Sequence, residues 1–137
     1  MLTQTPQATQ YDRVLTLLDG YARGLYTLDI ELLMGVSSPK ASYGTIQDGT
    51  LLVLSIDEYY ERLALRTRPS SDGTPFGYTV NSTRFAGEHT ALAEIQCSMF
   101  GFDHTELLSL LRIDGRWRIQ SKVFEDVPQA HQPEEVS

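Results

Sequence analysis

Apolar residues recur every three or four positions near the start of the chain and every second position in its later half, which separates a helical beginning from a strand-rich end. Tyr11, Val14, Leu15, Leu18, Tyr21, Ala22, Leu25 and Leu28 mark one face of an amphipathic helix, with Asp12, Arg13, Asp19 and Arg23 on its outer side. Asp29 precedes Ile30-Glu31-Leu32-Leu33-Met34, which reads as a short second helix with an acid where the dipole favours negative charge. Gly35 and Pro39 bracket its end. Residues 41–46 and 50–54 flank Gln47-Asp48-Gly49 and predict a short hairpin. Ser55-Ile56-Asp57-Glu58 is a capping box that opens a third helix carrying Ile56, Tyr59, Tyr60, Leu63 and Ala64, which fades near Arg66 to Arg68. Pro69 to Pro75 is a loop by composition.

From Phe76 onward the period is that of strands. Tyr78 to Phe85 is followed by a turn through Gly87-Glu88-His89 and then by Ala91 to Phe100, where Ala91, Ala93, Ile95, Cys97 and Met99 form the apolar, core-facing set. The longest such segment, His104 to Glu125, is split by Asp114-Gly115, the strongest short-range hairpin signal. A two-residue loop there pairs Arg112 with Trp117, Leu110 with Ile119, Leu108 with Ser121, Glu106 with Val123 and His104 with Glu125. One face then carries Leu108, Leu110, Trp117, Ile119 and Val123, with His104, Glu106, Arg112 and Ser121 set among them. The outer face mixes Leu107, Leu111, Ile113 and Phe124 with polar residues and suits contact with a partner, a second copy of the chain.

The expected architecture is α+β: a curved antiparallel sheet wrapped around three helices that lie mostly toward the amino terminus, leaving a conical pocket between the layers. Residues 1–10 and 126–137 read as flexible tails around a single domain over 11–125, since neither end has apolar periodicity. A length of 137 residues suits one domain. A net charge of −7 argues against nucleic-acid partners or an anionic membrane surface. No apolar run approaches the roughly 20 residues of a membrane span, and MLTQTPQATQ lacks a basic, apolar leader pattern, so the expected location is cytoplasmic. Cys97 stands alone and reads as a small buried hydrophobe. The histidines are scattered at His89, His104 and His131, so neither a metal nor another cofactor is expected.

His104 and Glu106 share a strand face, which makes them either a structural pair or an acid–base couple titrating near neutrality. Trp117, Leu108, Leu110, Tyr21 and Arg112 complete an expected apolar pocket with polar groups for a small-molecule ligand.

The segments YDRVLTLLDGYARGLYTLDIELL, YGTIQDGTLLVLSIDEYYERL and HTELLSLLRIDGRWRIQSKVF resemble the nuclear transport factor 2-like superfamily, also called cystatin-like or polyketide-cyclase-like, and within it the branch described as "putative lumazine-binding". Leu108 to Leu111, Asp114-Gly115, Trp117, Ile119, Lys122 and Phe124 match the branch's last motif. Glu106 stands for its Asp, Leu107 for its Tyr, and His104 where an aromatic is usual. The resemblance spans most of the chain between Tyr11 and Phe124 and implies the conical fold. The superfamily includes isomerases, cyclases and dehydratases as well as plain binding domains. In its enzymes an acid or base sits inside the cone beside donors for an oxyanion. The resemblance therefore makes Tyr21, Tyr26, Tyr43 and Tyr60 candidate donors, and Asp29, His104 or Glu106 candidate bases. Three functional expectations follow: a homodimeric small-molecule-binding domain, an isomerase, cyclase or dehydratase using a pocket base, or a protein-interaction module without a ligand.

Overall fold

A computed structural model describes residues 7–130, and every structural statement below refers to these residues. Helix α1 (Gln7–Thr27) is followed by α2 (Ile30–Val36), the hairpin β1 (Ser37–Gln47) and β2 (Thr50–Ser55), helix α3 (Ile56–Leu63) and a single 3₁₀ turn at Pro69–Ser71. Four long strands complete the chain: β3 (Tyr78–Phe85), β4 (Thr90–Met99), β5 (Phe102–Ile113) and β6 (Arg116–Pro128).

Local chemistry sets these boundaries. The Asp29 carboxylate caps α2 by accepting from the Leu32 amide at 3.1 Å. At the start of α3 the Glu58 amide donates to the Ser55 hydroxyl (3.2 Å) and the Ser55 amide to the Glu58 carboxylate (2.8 Å). Both Asp-Gly turns place two successive residues at positive φ, 52° and 76° at Asp48-Gly49 and 51° and 79° at Asp114-Gly115, the twist a tight hairpin needs. Helices α1 and α2 approach closely at Gly24, where a Cβ would come within 2.8 Å of the buried Leu33 side chain.

The strands form one curved, unclosed sheet in the order β2-β1-β6-β5-β4-β3. The fold is α+β as expected, but the sheet is mixed rather than antiparallel, because β1 runs parallel to β6, with Tyr43 opposite Lys122 and Gly44 opposite Val123. One face is covered by the helices. Val14, Leu18, Tyr21 and Leu25 of α1 are buried there against Ala93, Ile95, Leu108, Leu110 and Ile119. The alternation expected on β4 holds, with Ala91, Ala93, Ile95, Cys97 and Met99 all buried.

The β5–β6 hairpin departs from the expected register halfway along. Arg112 pairs with Trp117 and Leu110 with Ile119, but Ser109 then pairs with Ser121, which leaves Gln120 as an extra residue in β6. Such a bulge reverses which residues face inward. Beyond it Leu108 pairs with Lys122, Glu106 with Phe124 and His104 with Asp126, one residue away from the expected partners. Val123 is consequently 56% exposed and Lys122 4%. The expected tails are also shorter than 1–10 and 126–137. Helix α1 begins at Gln7, and the buried Gln10 accepts a 2.8 Å hydrogen bond from the Trp117 indole. Strand β6 continues to Pro128 opposite Phe102. The rest of both tails, with His131, lies outside the described residues.

Candidate functional site

The bulge delivers the Lys122 side chain into the space between helices and sheet. Its Nζ donates to the hydroxyls of Tyr21 (3.0 Å) and Tyr59 (3.1 Å) and to Glu106 Oε2 (3.3 Å), which uses all three ammonium hydrogens. The Tyr21 hydroxyl donates in turn to Glu106 Oε1 at 2.6 Å. Four aromatic rings surround the cation, with centroids at 4.7 Å for Phe124, 4.9 Å for Tyr59, 5.3 Å for Tyr43 and 5.7 Å for Tyr21. Tyr43 and Tyr59 stack with centroids 3.8 Å apart, which fixes the Tyr59 ring.

The electrostatics follow from this packing. Burial alone would push the Lys122 ammonium down, but the Glu106 carboxylate and the tyrosines outweigh it and hold the group well above the usual lysine range. Burial, reinforced by the Glu106 charge, raises Tyr21 far above an ordinary phenol. Tyr59 is raised by burial in spite of the opposing Lys122 charge. The network is therefore an ammonium–carboxylate pair bridged by neutral phenols. One donor in it is unspent: the Tyr59 hydroxyl accepts from Lys122, and no acceptor among the described residues takes its own hydrogen.

His104 faces different partners from those its strand position suggested. Its Nδ1 lies 2.5 Å from Asp126 Oδ1 and its Nε2 2.9 Å from the Met99 carbonyl oxygen. A carbonyl can only accept, so Nε2 carries a hydrogen and is not free to take one. Cys97, opposite His104 in the ladder, has its thiol pushed up to about 12, chiefly by burial and then by the Glu106 charge, so it is not a nucleophile at neutral pH.

Two adjoining spaces meet this network. The inner one, about 40 Å³, is bounded by Glu106, Lys122, His104 and Tyr59, room for one or two waters. The outer one, about 420 Å³, opens between α3, the β1–β2 turn and the end of β6, and shares Tyr59, Leu63, Arg66, Phe124 and Asp126 with the inner one. Arg62 lines the outer space, and the Arg66 guanidinium lies 4.8 Å over the Phe100 ring at the boundary. The site thus offers a neutral hydroxyl donor and aromatic walls, with two cations, Arg62 and Arg66, and two carboxylates, Asp48 and Asp126, around the outer space.

Of the residues singled out from sequence, His104 and Glu106 line the inner space, and Tyr21 and Tyr43 support it from behind. Leu108 and Leu110 lie in closed core, and Trp117, 5% exposed, meets Phe85 edge-on at 5.7 Å and borders neither of these two spaces. Arg112 stands beside the Asp114-Gly115 turn, opposite Trp117 and far along β5 from Glu106. Asp29 is exposed at the α2 cap, and the Tyr26 hydroxyl ties down the 69–77 loop through the Thr74 carbonyl at 2.6 Å. Tyr60 is half-buried, and its hydroxyl is absent from the Lys122 network. Periodicity missed Lys122, Phe124 and Asp126, although Lys122 and Phe124 both belong to the motif that carried the family resemblance.

Comparison with known proteins agrees with this architecture. Residues 9–125 match the family described as "Putative lumazine-binding". No curated protein matches the sequence. Among solved structures, an NTF2-like protein of unknown function from Shewanella baltica shares 21% identity at a TM-score of 0.82, over 92% of this chain and 100% of that one. Another from Silicibacter pomeroyi shares 20% at 0.77, over 90% and 100%. A cystatin-like fold protein from Burkholderia xenovorans shares 13% at 0.62, over 87% and 92%. With a family match over most of its length, the chain belongs to the family described as "Putative lumazine-binding", and it shares its fold with these NTF2-like and cystatin-like proteins.

Proposed function

We propose that this protein binds a small planar molecule in the space between α3, the β1–β2 turn and β6, with a carbonyl oxygen of the ligand accepting from Tyr59. The unspent Tyr59 hydroxyl carries the reading, because Lys122 and Tyr43 hold it in place at no further ordering cost. Volume supports it as well. About 420 Å³ falls within the range of small-molecule sites. Phe124 and Tyr59 supply flat walls, and Arg62 and Arg66 supply donors for further acceptors of the ligand beside the carboxylates of Asp48 and Asp126. The family description names lumazine, a planar bicycle with carbonyl acceptors, which fits this donor set. Binding suits the arrangement better than base catalysis, since both oxygens of Glu106 and both nitrogens of His104 already have partners.

Calorimetric titration with lumazine tests the proposal. The expected result is saturable binding that weakens about tenfold or more in Tyr59→Phe, which removes the hydrogen bond to the ligand together with the one accepted from Lys122, and also weakens in Arg66→Ala. Absence of binding, or equal affinity in both variants, rejects it.

We further propose that two copies associate through the uncovered face of the sheet. Val53, Gly44, Val123 and Leu107 stand directly opposite one another across β2, β1, β6 and β5, an apolar row where a solvated face would alternate with charge. A dimer is expected by sedimentation at micromolar concentration, and a monomer in Val123→Lys. A monomeric parent protein rules this out.

A further inference from the structure

At the opposite end of the molecule a second groove, about 540 Å³, runs between α1, the end of α2 and the β5–β6 turn. Its floor is apolar, made by Leu17, Leu32, Val36 and the edge of Trp117. Glycines keep it open: a Cβ on Gly35 would meet nothing within 4 Å, and Gly20 also lines the groove. Three guanidinium groups stand around this floor, those of Arg13, Arg116 and Arg118.

In a chain of net charge −7, the ion pairs among the described residues are Arg23–Asp19, His104–Asp126 and Lys122–Glu106, and none involves a groove arginine; Arg62 and Arg66 are likewise unpaired, but their space is also lined by Asp48 and Asp126, whereas no carboxylate lines this groove. Arg118 is held in place, since its Nη1 donates to the Gly35 carbonyl at the groove's edge. Three cations without carboxylate partners around an aliphatic floor form an electrostatic and apolar complement to one class of molecule.

We propose that this groove is a binding site for a small aliphatic carboxylate, with the apolar body on Leu17, Leu32 and Val36 and the carboxylate between Arg13 and Arg116. A guanidinium presents its N–H groups in a fixed fork that matches the two carboxylate oxygens, so this pairing gains direction as well as charge. The volume falls within the range of small-molecule sites. The groove is separate from the Tyr59 site, with which it shares no lining residue.

Trp117 is the only tryptophan in the chain and lines the groove, so its fluorescence reports occupancy directly. The full-length protein is titrated at neutral pH with decanoate below its micellar concentration, and in parallel with decyltrimethylammonium. Decanoate is expected to change the emission saturably and the cation to leave it unchanged. Arg13→Gln and Arg116→Gln, both at exposed positions, are each expected to weaken decanoate about tenfold. Gly35→Leu leaves the arginines in place, favours the helix and fills the groove, and is expected to abolish the response. A response of equal strength to decyltrimethylammonium would show an apolar surface without anion selectivity and overturn the proposal. So would no saturable response to decanoate, or unchanged affinity in the arginine variants.

Discussion

Replacing Lys122 with methionine is expected to lower the stability of the fold by about 3–5 kcal/mol at neutral pH, the cost of leaving a buried charge without its partner. Glu106, 1% exposed, would keep only the Tyr21 hydroxyl, and the phenols of Tyr21 and Tyr59 would lose the donor that lies between them. For a domain of this size that corresponds to a fall of roughly 10–20 °C in the thermal midpoint. Urea unfolding of the parent, Lys122→Met and the double variant Lys122→Met/Glu106→Leu measures it. The double variant is expected to recover much of the loss, because an apolar pair of similar volume avoids desolvating two ions. A cost below about 1 kcal/mol in the single variant would mean that the ion pair contributes no more than a surface pair does.

The second large effect is alkaline. Burial raises Tyr21, Tyr43 and Tyr59 above an ordinary phenol, while Lys122 is raised against burial by Glu106 and the tyrosines. In the unfolded chain these groups lose their protons near pH 10 to 10.5. Each of the four binds its proton more tightly when folded, so its stabilisation is complete below that range and declines as pH rises through it. Each group removes up to about 1.4 kcal/mol per pH unit, and together they take away several kcal/mol over one to two units. Cooperative unfolding is therefore expected a little above pH 10. Tyr21, Tyr43 and Tyr59 should ionise in one step that coincides with the loss of circular dichroism. Smooth ionisation of these three with the fold intact would contradict this.

What was legible in the sequence is what local chemistry determines. The Ser55–Glu58 box, the Asp48-Gly49 and Asp114-Gly115 turns and the alternation of β4 each depend on a few neighbouring residues, and each appears where expected. The candidate site depends on two features that are not local. The bulge at Gln120 has no residue signature, yet it exchanges the inward roles of Val123 and Lys122 and thereby creates the ion pair with Glu106. The parallel pairing of β1 with β6 brings Tyr43 opposite Lys122, and nothing near either residue announces a partner 79 positions away. Glu106 was recognised as inward-facing because it shares parity with Leu108 and Leu110. Its partners were not, because they arrive from α1, α3 and the far side of a bulge.

The place of β6 in the sheet also governs how the chain acquires its structure during synthesis. This strand sits between β1 and β5, so the β1–β2 hairpin has no connection to the β3–β5 meander until the last strand is made. A nascent chain ending near Gly115 holds two half-sheets, each with an open edge waiting for the same strand. Lys122 comes with that strand, and until it arrives Glu106 has no cation to face. Joining the halves requires closing a loop of about 80 residues between β1 and β6, a step whose entropic cost precedes its reward. Folding is therefore completed only after β6 has cleared the ribosome, and the exposed edges of β1 and β5 are where a stalled chain would meet another.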